Sequence, residues 1–145
     1  MKIEQVYPGV FRSAQPEVQA DFEAVLKLGQ RVVVIDLENE SGESPWEQAQ
    51  WAQFAARINF QSFPMSSFWP PSEDKVKQIL ATIASAVAQG FVVLVHCKHG
   101  QDRTGLIIGE LRLSKGWDKD DAWGEMLDKG FHPILLGLTI YFWLH

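Results

Sequence analysis

Cysteine is almost missing from this chain: of 145 residues only Cys97 carries a thiol. No disulfide can close within the chain, and stability must come from a buried core, which a chain of this length can supply as one domain. A basic excess is missing too. Lysine and arginine number 13 against 18 aspartates and glutamates, a net charge of −5. That balance speaks against nucleic acid or an anionic membrane surface as the partner, and any anionic ligand must be drawn in by local positive groups. No apolar run is long enough to cross a bilayer; the longest, Pro133 to Leu144, falls well short of the ~20 residues required. The start, MKIEQVYPGVF, has no secretory pattern. With a lone thiol, these features lead us to expect a cytoplasmic protein. Repeats, low-complexity tracts and linkers are absent as well, so residues 1–145 are expected to form a single domain.

What is present alternates between two periodicities. RVVVIDL (31–37) and FVVLVHC (91–97) are continuous β-branched runs, the pattern of strands buried on both faces. VYPGVFRS (6–13) resembles an irregular edge strand bent at Pro8 and Gly9, and INFQSF (58–63) a shorter strand. Helical spacing links Val18, Phe22, Val25 and Leu26, and again Val76, Ile79, Leu80, Ile83 and Val87 after a capping Ser72. Ser44, Pro45 and Glu47 fit a capping box opening a helix to about Arg57. Further helices are expected over about 103–115, 118–129 and 134–144. The prediction is an α/β fold with a central, mostly parallel sheet of four to five strands flanked by helices. Ligands of such folds bind at the carboxyl ends of strands, and Cys97 stands at one.

The run VHCKHGQDRTG (95–105) joins that strand to a helix through five residues. A short loop entering a helix turns successive backbone N–H groups inward and makes an anion nest backed by the helix N-terminus. Lys98, His99, Gly100 and Gln101 supply this backbone, with Gly100 giving the loop its freedom to turn. Such a positive environment favours the thiolate, and Cys97 is expected to react as one near neutral pH. Arg103 adds a planar fork able to hold two phosphate oxygens. A thiolate, a nest and a guanidinium around one tetrahedral anion describe nucleophilic displacement at phosphorus through a phosphocysteine. No cofactor or metal is expected, since no His/carboxylate cluster shows metal-ligand spacing.

His96-Cys97 through Arg103-Thr104 resembles the H-C-x5-R-T signature of the protein tyrosine and dual-specificity phosphatase superfamily, and HCKHGQDRTG is similar to the loops of small bacterial and atypical dual-specificity members. FRSAQP (11–16) resembles the R-S-x-Q-P opening of that group, and Ala122 to Met126 its A-x-x-E-M pattern. The resemblance implies a dual-specificity-phosphatase-like fold in which His96 orients the loop and Thr104 places its hydroxyl near the sulfur; alternatively, His96 is a satisfied core residue and Thr104 a helix-start hydroxyl. Lys98 and His99 either face the pocket rim or are solvated.

Most of the superfamily carries an acidic proton donor on the loop that here reads MSSFWPP (65–71), which contains no carboxylate. Two candidates remain. Asp102 occupies the C-x4-D-R-T position, immediately before Arg103, that myotubularin-like lipid phosphatases use, and is preferred. Asp74, like Glu73, falls in the first turn of a helix, where acids complement the dipole. Phe68 and Trp69 either wall the pocket, with Trp69 against the substrate, or pack in the core. The expected substrate is a phosphotyrosine or other phosphoprotein. An inositol phosphate, phosphoinositide or small phosphorylated metabolite, a weak phosphate-binding module and a rhodanese-like sulfurtransferase are the alternatives. A monomer is expected.

Overall fold

A computed structural model describes residues 1–145. Its centre is a five-stranded sheet in the order β1-β2-β5-β3-β4, formed by β1 (Glu4–Tyr7), β2 (Val10–Ser13), β3 (Val32–Asp36), β4 (Ile58–Ser62) and β5 (Val92–His96). Every pairing is parallel except β1 with β2. The helices are α1 (Gln19–Leu26), α2 (Glu43–Trp51), α3 (Glu73–Ala88), α4 (Arg103–Ser114), α5 (Lys119–Asp128) and α6 (Leu136–Leu144). None is long and apolar enough to cross a membrane.

Strand alternation divides the core in two. Val33, Ile35, Val93 and Val95 point to the face covered by α3, α4, α5 and α6. Val32, Val34 and Leu94 point to the opposite face, against Phe22 and Val25 of α1 and Trp51 of α2. Covering both faces is what the unbroken β-branched runs of β3 and β5 require. Helix α4 is buried from Arg103 to Leu111, because it lies between the sheet and α5 and α6. Gly109 allows that approach: a Cβ there would stand 2.7 Å from the Met126 sulfur. Arg112 then ties α4 to α5 with a two-pronged bond to Glu125, both prongs 2.9 Å; Glu125 belongs to the 122–126 motif.

Two sequence expectations change. The segment 6–13 is not one edge strand but a hairpin turning at Pro8 and Gly9, with Gly9 at φ +84°. Its second strand lies inside the sheet, Ser13 pairing with His96. The capping box at Ser44 does not form. Helix α2 is preceded by Gly42 in the left-handed region, and the last turn tightens into a 3-10 segment, Ala52–Phe54. Ser44 instead donates its hydroxyl to Asp36, and Glu47 turns into the core. Ser72 does cap α3, accepting from the Lys75 N–H at 3.1 Å.

Candidate active site

Strand β5 ends at His96, and α4 begins at Arg103, so the loop 97–102 sits at the carboxyl edge of the sheet beside the ends of β2 and β3. The FRSAQP segment holds it from one side. Arg12, buried in β2, donates from Nη2 to the Gly100 carbonyl at 3.0 Å. The Gln15 N–H reaches the Lys98 carbonyl at 3.3 Å. Gly100 has φ +74°, and a Cβ there would lie 2.6 Å from the Ser13 carbonyl. Both the turn and the close approach therefore require glycine. The 11–16 motif, visible in the sequence only as a resemblance, is the buttress of this loop.

On the open side lies a cleft of about 370 Å³. Its loop wall is Cys97, Lys98, His99, Asp102 and Arg103; its facing wall is Asn39 and Glu40 after β3, with Ser67 and Phe68. Cys97 is 2% exposed, so only its edge meets the cleft. Arg103 is held in place rather than free. Its Nη2 donates to Glu40 Oε1 at 2.6 Å, and its Nη1 to Glu40 Oε2 at 3.2 Å, Asn39 Oδ1 at 3.0 Å and the Met65 carbonyl at 3.2 Å. Burial alone would lower the Arg103 pKa; the Glu40 bonds and the nearby Cys97 sulfur outweigh it, and the guanidinium is firmly charged. Lys98 is matched as well, its Nζ 2.8 Å from Glu43 Oε1, a bond that raises its pKa. Beyond Lys98 a second cleft of about 450 Å³ continues past Gln15, Glu17, Glu43 and Trp46.

Beneath the loop, His96 is fully buried. Its Nε2 stands 2.8 Å from Glu47 Oε2 and its Nδ1 3.3 Å from the Cys97 carbonyl. Asp36, Glu38, Glu47 and His96 converge so that one ligand atom from each lies within 4.8 Å of the others. This is the set of side chains that could hold a cation, although Nε2 here is engaged by Glu47.

The structure places the remaining candidates unevenly. Asp102 lines the cleft with Cys97, and its carboxylate accepts the His132 N–H at 2.7 Å and lies 3.0 Å from His132 Nδ1. Asp74 lies in the first turn of α3 and does not line the cleft, while Glu73 pairs with Lys77 at 3.0 Å. Phe68, 72% exposed, is on the cleft wall; Trp69, 74% exposed, is not. Gln101 packs its side chain against Gly130. Thr104 is buried with its hydroxyl unpartnered. Sequence reasoning reached Arg12 only through the 11–16 resemblance, without a role, and missed Asn39, Glu40, Glu47 and His132 as site residues. Of these four, only Asn39 and Glu40 carry a readable signal, as polar residues just after a buried strand.

Residues 2–128 match the family described as "PTP-SAK: Swiss Army Knife protein, DSP-PTPase phosphatase domain". The dual specificity protein phosphatase TpbA of Pseudomonas aeruginosa is 30% identical over 129 residues, covering 86% of this chain and 52% of its own. The chain thus spans about half the length of the curated relatives it matches. The crystal structure of P. aeruginosa TpbA in complex with pTyr superposes with a TM-score of 0.76 at 26% identity, covering 97% of this chain and 82% of that one. The catalytic core of the PP-IP phosphatase SIW14 from S. cerevisiae gives 0.77 at 20% identity, covering 96% and 84%, a likeness of fold.

Proposed function

The chain belongs to the dual-specificity phosphatase domain family, and from that premise we propose that it hydrolyses phosphate monoesters through a phosphocysteine on Cys97, with a phosphotyrosyl polypeptide as substrate. The observation that carries this reading is the meeting of Cys97, Arg103 and Asp102 in one cleft at a strand's carboxyl end. The loop N–H groups and the Arg103 fork receive the phosphate oxygens, the dianion sharing the guanidinium with Glu40. The Cys97 sulfur attacks phosphorus, and the bond to the leaving oxygen breaks. That oxygen takes a proton from Asp102, which His132 holds at the cleft wall. Water then attacks phosphorus, the S–P bond breaks, Asp102 takes the water's proton, and phosphate leaves.

Charge favours a monoester over a polyphosphate. The two cations that line the cleft, Arg103 and Lys98, are each matched by a glutamate, so the cleft has no surplus positive charge for an inositol polyphosphate. Phe68 offers a wall for an aryl ring, and the groove past Lys98 to Trp46 suits an extended chain. TpbA, a relative in this family, has been captured with phosphotyrosine.

Wild type, Cys97→Ser and Asp102→Asn would be assayed on a phosphotyrosine peptide, an aryl phosphate, an alkyl phosphate, inositol phosphates and thiosulfate. Wild type is expected to turn over the first two most efficiently, and Cys97→Ser to bind phosphate without turnover. Asp102→Asn should lose about 100-fold on the alkyl ester and less on the aryl ester, whose leaving group needs no proton. Phosphate binding without hydrolysis of any ester would leave a binding module, and thiosulfate turnover alone a sulfurtransferase.

A further inference from the structure

Three carboxylates and a histidine meet out of water directly under the phosphate loop. Asp36 closes β3, Glu38 follows it, Glu47 comes from α2 and His96 closes β5; all four are buried. Their partners are unequal. Asp36 accepts the Glu38 N–H at 3.0 Å and the hydroxyls of Ser44 and Ser62. Glu47 Oε2 accepts the indole N–H of Trp51 at 3.0 Å and faces His96. Neither oxygen of Glu38 has a partner.

Both ring nitrogens of His96 face acceptors. A backbone carbonyl can only accept, so the Nδ1 opposite Cys97 O carries a hydrogen. Glu47 Oε2 already accepts the Trp51 N–H and stands 2.8 Å from Nε2; accepting there as well, it leaves Nε2 with a hydrogen too. A ring with two N–H groups is an imidazolium. Burial works against that charge; the Glu47 bond and the charges of Glu47, Asp36 and Glu38 outweigh it, and the His96 pKa is pushed up to about 9. Those are the charged groups facing the ring from α2 and from the end of β3, Asp36 Oδ1 at 3.9 Å from Nδ1; Cys97 follows the ring in the chain.

We propose that Glu47 is a positioning residue for this site: its bond to Nε2 keeps His96 doubly protonated, with Nδ1–H on the Cys97 carbonyl, so that α2 fixes the first peptide of the phosphate loop and sets a positive charge one residue from the sulfur. The inference rests on Cys97 being the nucleophile. A cation bound among the four side chains would need a lone pair on the His96 ring, and is the competing arrangement.

Glu47→Gln separates charge from shape. Trp51 and Nε2 meet the same oxygen of Glu47, and the amide oxygen of glutamine can take its place and accept from both, so the ring keeps its seat while the anion that favours its second proton is gone. In the folded variant, the pH at which iodoacetamide alkylates Cys97 is expected to rise by about one unit, roughly a tenfold loss of reactivity below the midpoint. The acid limb of kcat/KM on an aryl phosphate should follow it, with activity recovering at higher pH. A folded Glu47→Gln with the wild-type alkylation profile would overturn the proposal. Nitrogen NMR of the wild-type imidazole tests it without any variant. Both His96 nitrogens protonated at pH 7 is the expected result; an unprotonated nitrogen, or His96 signals that move on addition of zinc, overturns it. The expected His96 state in wild type and the alkylation shift in Glu47→Gln, with no phosphate ester hydrolysed by wild type, would remove the phosphatase reading and leave the Glu47 link standing.

Discussion

Above the phosphate loop, charges meet across a cleft open to water; below it, they meet where water is excluded. On the upper side Arg103 and Lys98 are paired one to one with Glu40 and Glu43, and those glutamates are partly exposed. On the lower side one histidine answers three carboxylates, one of them without a partner. The upper pairs can rearrange around an incoming phosphate because solvent softens their exchange and salt screens it. The lower group has no such latitude, since an unpaired charge in a dry interior is costly. The proposed anion site is thus mounted on a base that holds its charge fixed.

Substitutions on either side sharpen this contrast. The largest effect belongs to the upper face. Arg103→Lys keeps the charge but loses the fork shared by Glu40 and the phosphate; kcat/KM on an aryl phosphate should fall by roughly 100- to 1,000-fold. Steady-state kinetics would check it, and a loss under tenfold would mean that the fork is not used. Next comes the hinge between the faces. Gly100→Ala meets both an unfavourable φ and the Ser13 carbonyl, and should cost on the order of 1–3 kcal/mol in denaturant unfolding, with loss of phosphate binding.

A pH effect belongs to the lower face. Burial raises Glu38 from 4.5 to about 8, with the charges of Asp36, Glu43 and Glu40 adding to it against His96, and His96 stands at about 9. Both groups bind their protons more tightly folded than unfolded. Their stabilisation is complete below about pH 4.5 and 6.5 respectively, and is lost as pH climbs to about 8 and 9. Tm should therefore decline between pH 5 and 9, and Glu38→Gln should flatten the earlier part of that decline; a Glu38→Gln slope equal to wild type would refute the assignment. The smallest change expected is Trp46→Ala, a few-fold rise in KM for a phosphotyrosine peptide with none for a small aryl phosphate.

The upper face was largely legible in the sequence, and the lower face was not. Cys97, Asp102 and Arg103 are neighbours in the chain, so one strand-loop-helix unit brings them together whatever the rest of the fold does. Glu47 and Arg12 reach the loop through topology. An acid three residues after Ser44 fits a capping pattern equally well, and only the placement of α2 beside the end of β5 turns it inward. Arg12 falls in a segment whose Pro8 and Gly9 point to an irregular edge strand. It is interior because β2 lies beside β5, a pairing no local pattern encodes. His132 follows the same logic, held to Asp102 across 30 residues of chain.

That strand order also sets a sequence of events. Strands β3 and β4 are close in the chain, but β2 must wait for β5, Val10 pairing with Val93. The contact of longest reach in the sheet is therefore the one that brings Arg12 and Gln15 to the loop, and closing it costs the most chain entropy. A nascent or refolding chain is therefore expected to assemble the β3–β4 half first and the loop 97–102 with its buttress last, so that recovery of anion binding trails recovery of secondary structure in a stopped-flow refolding experiment.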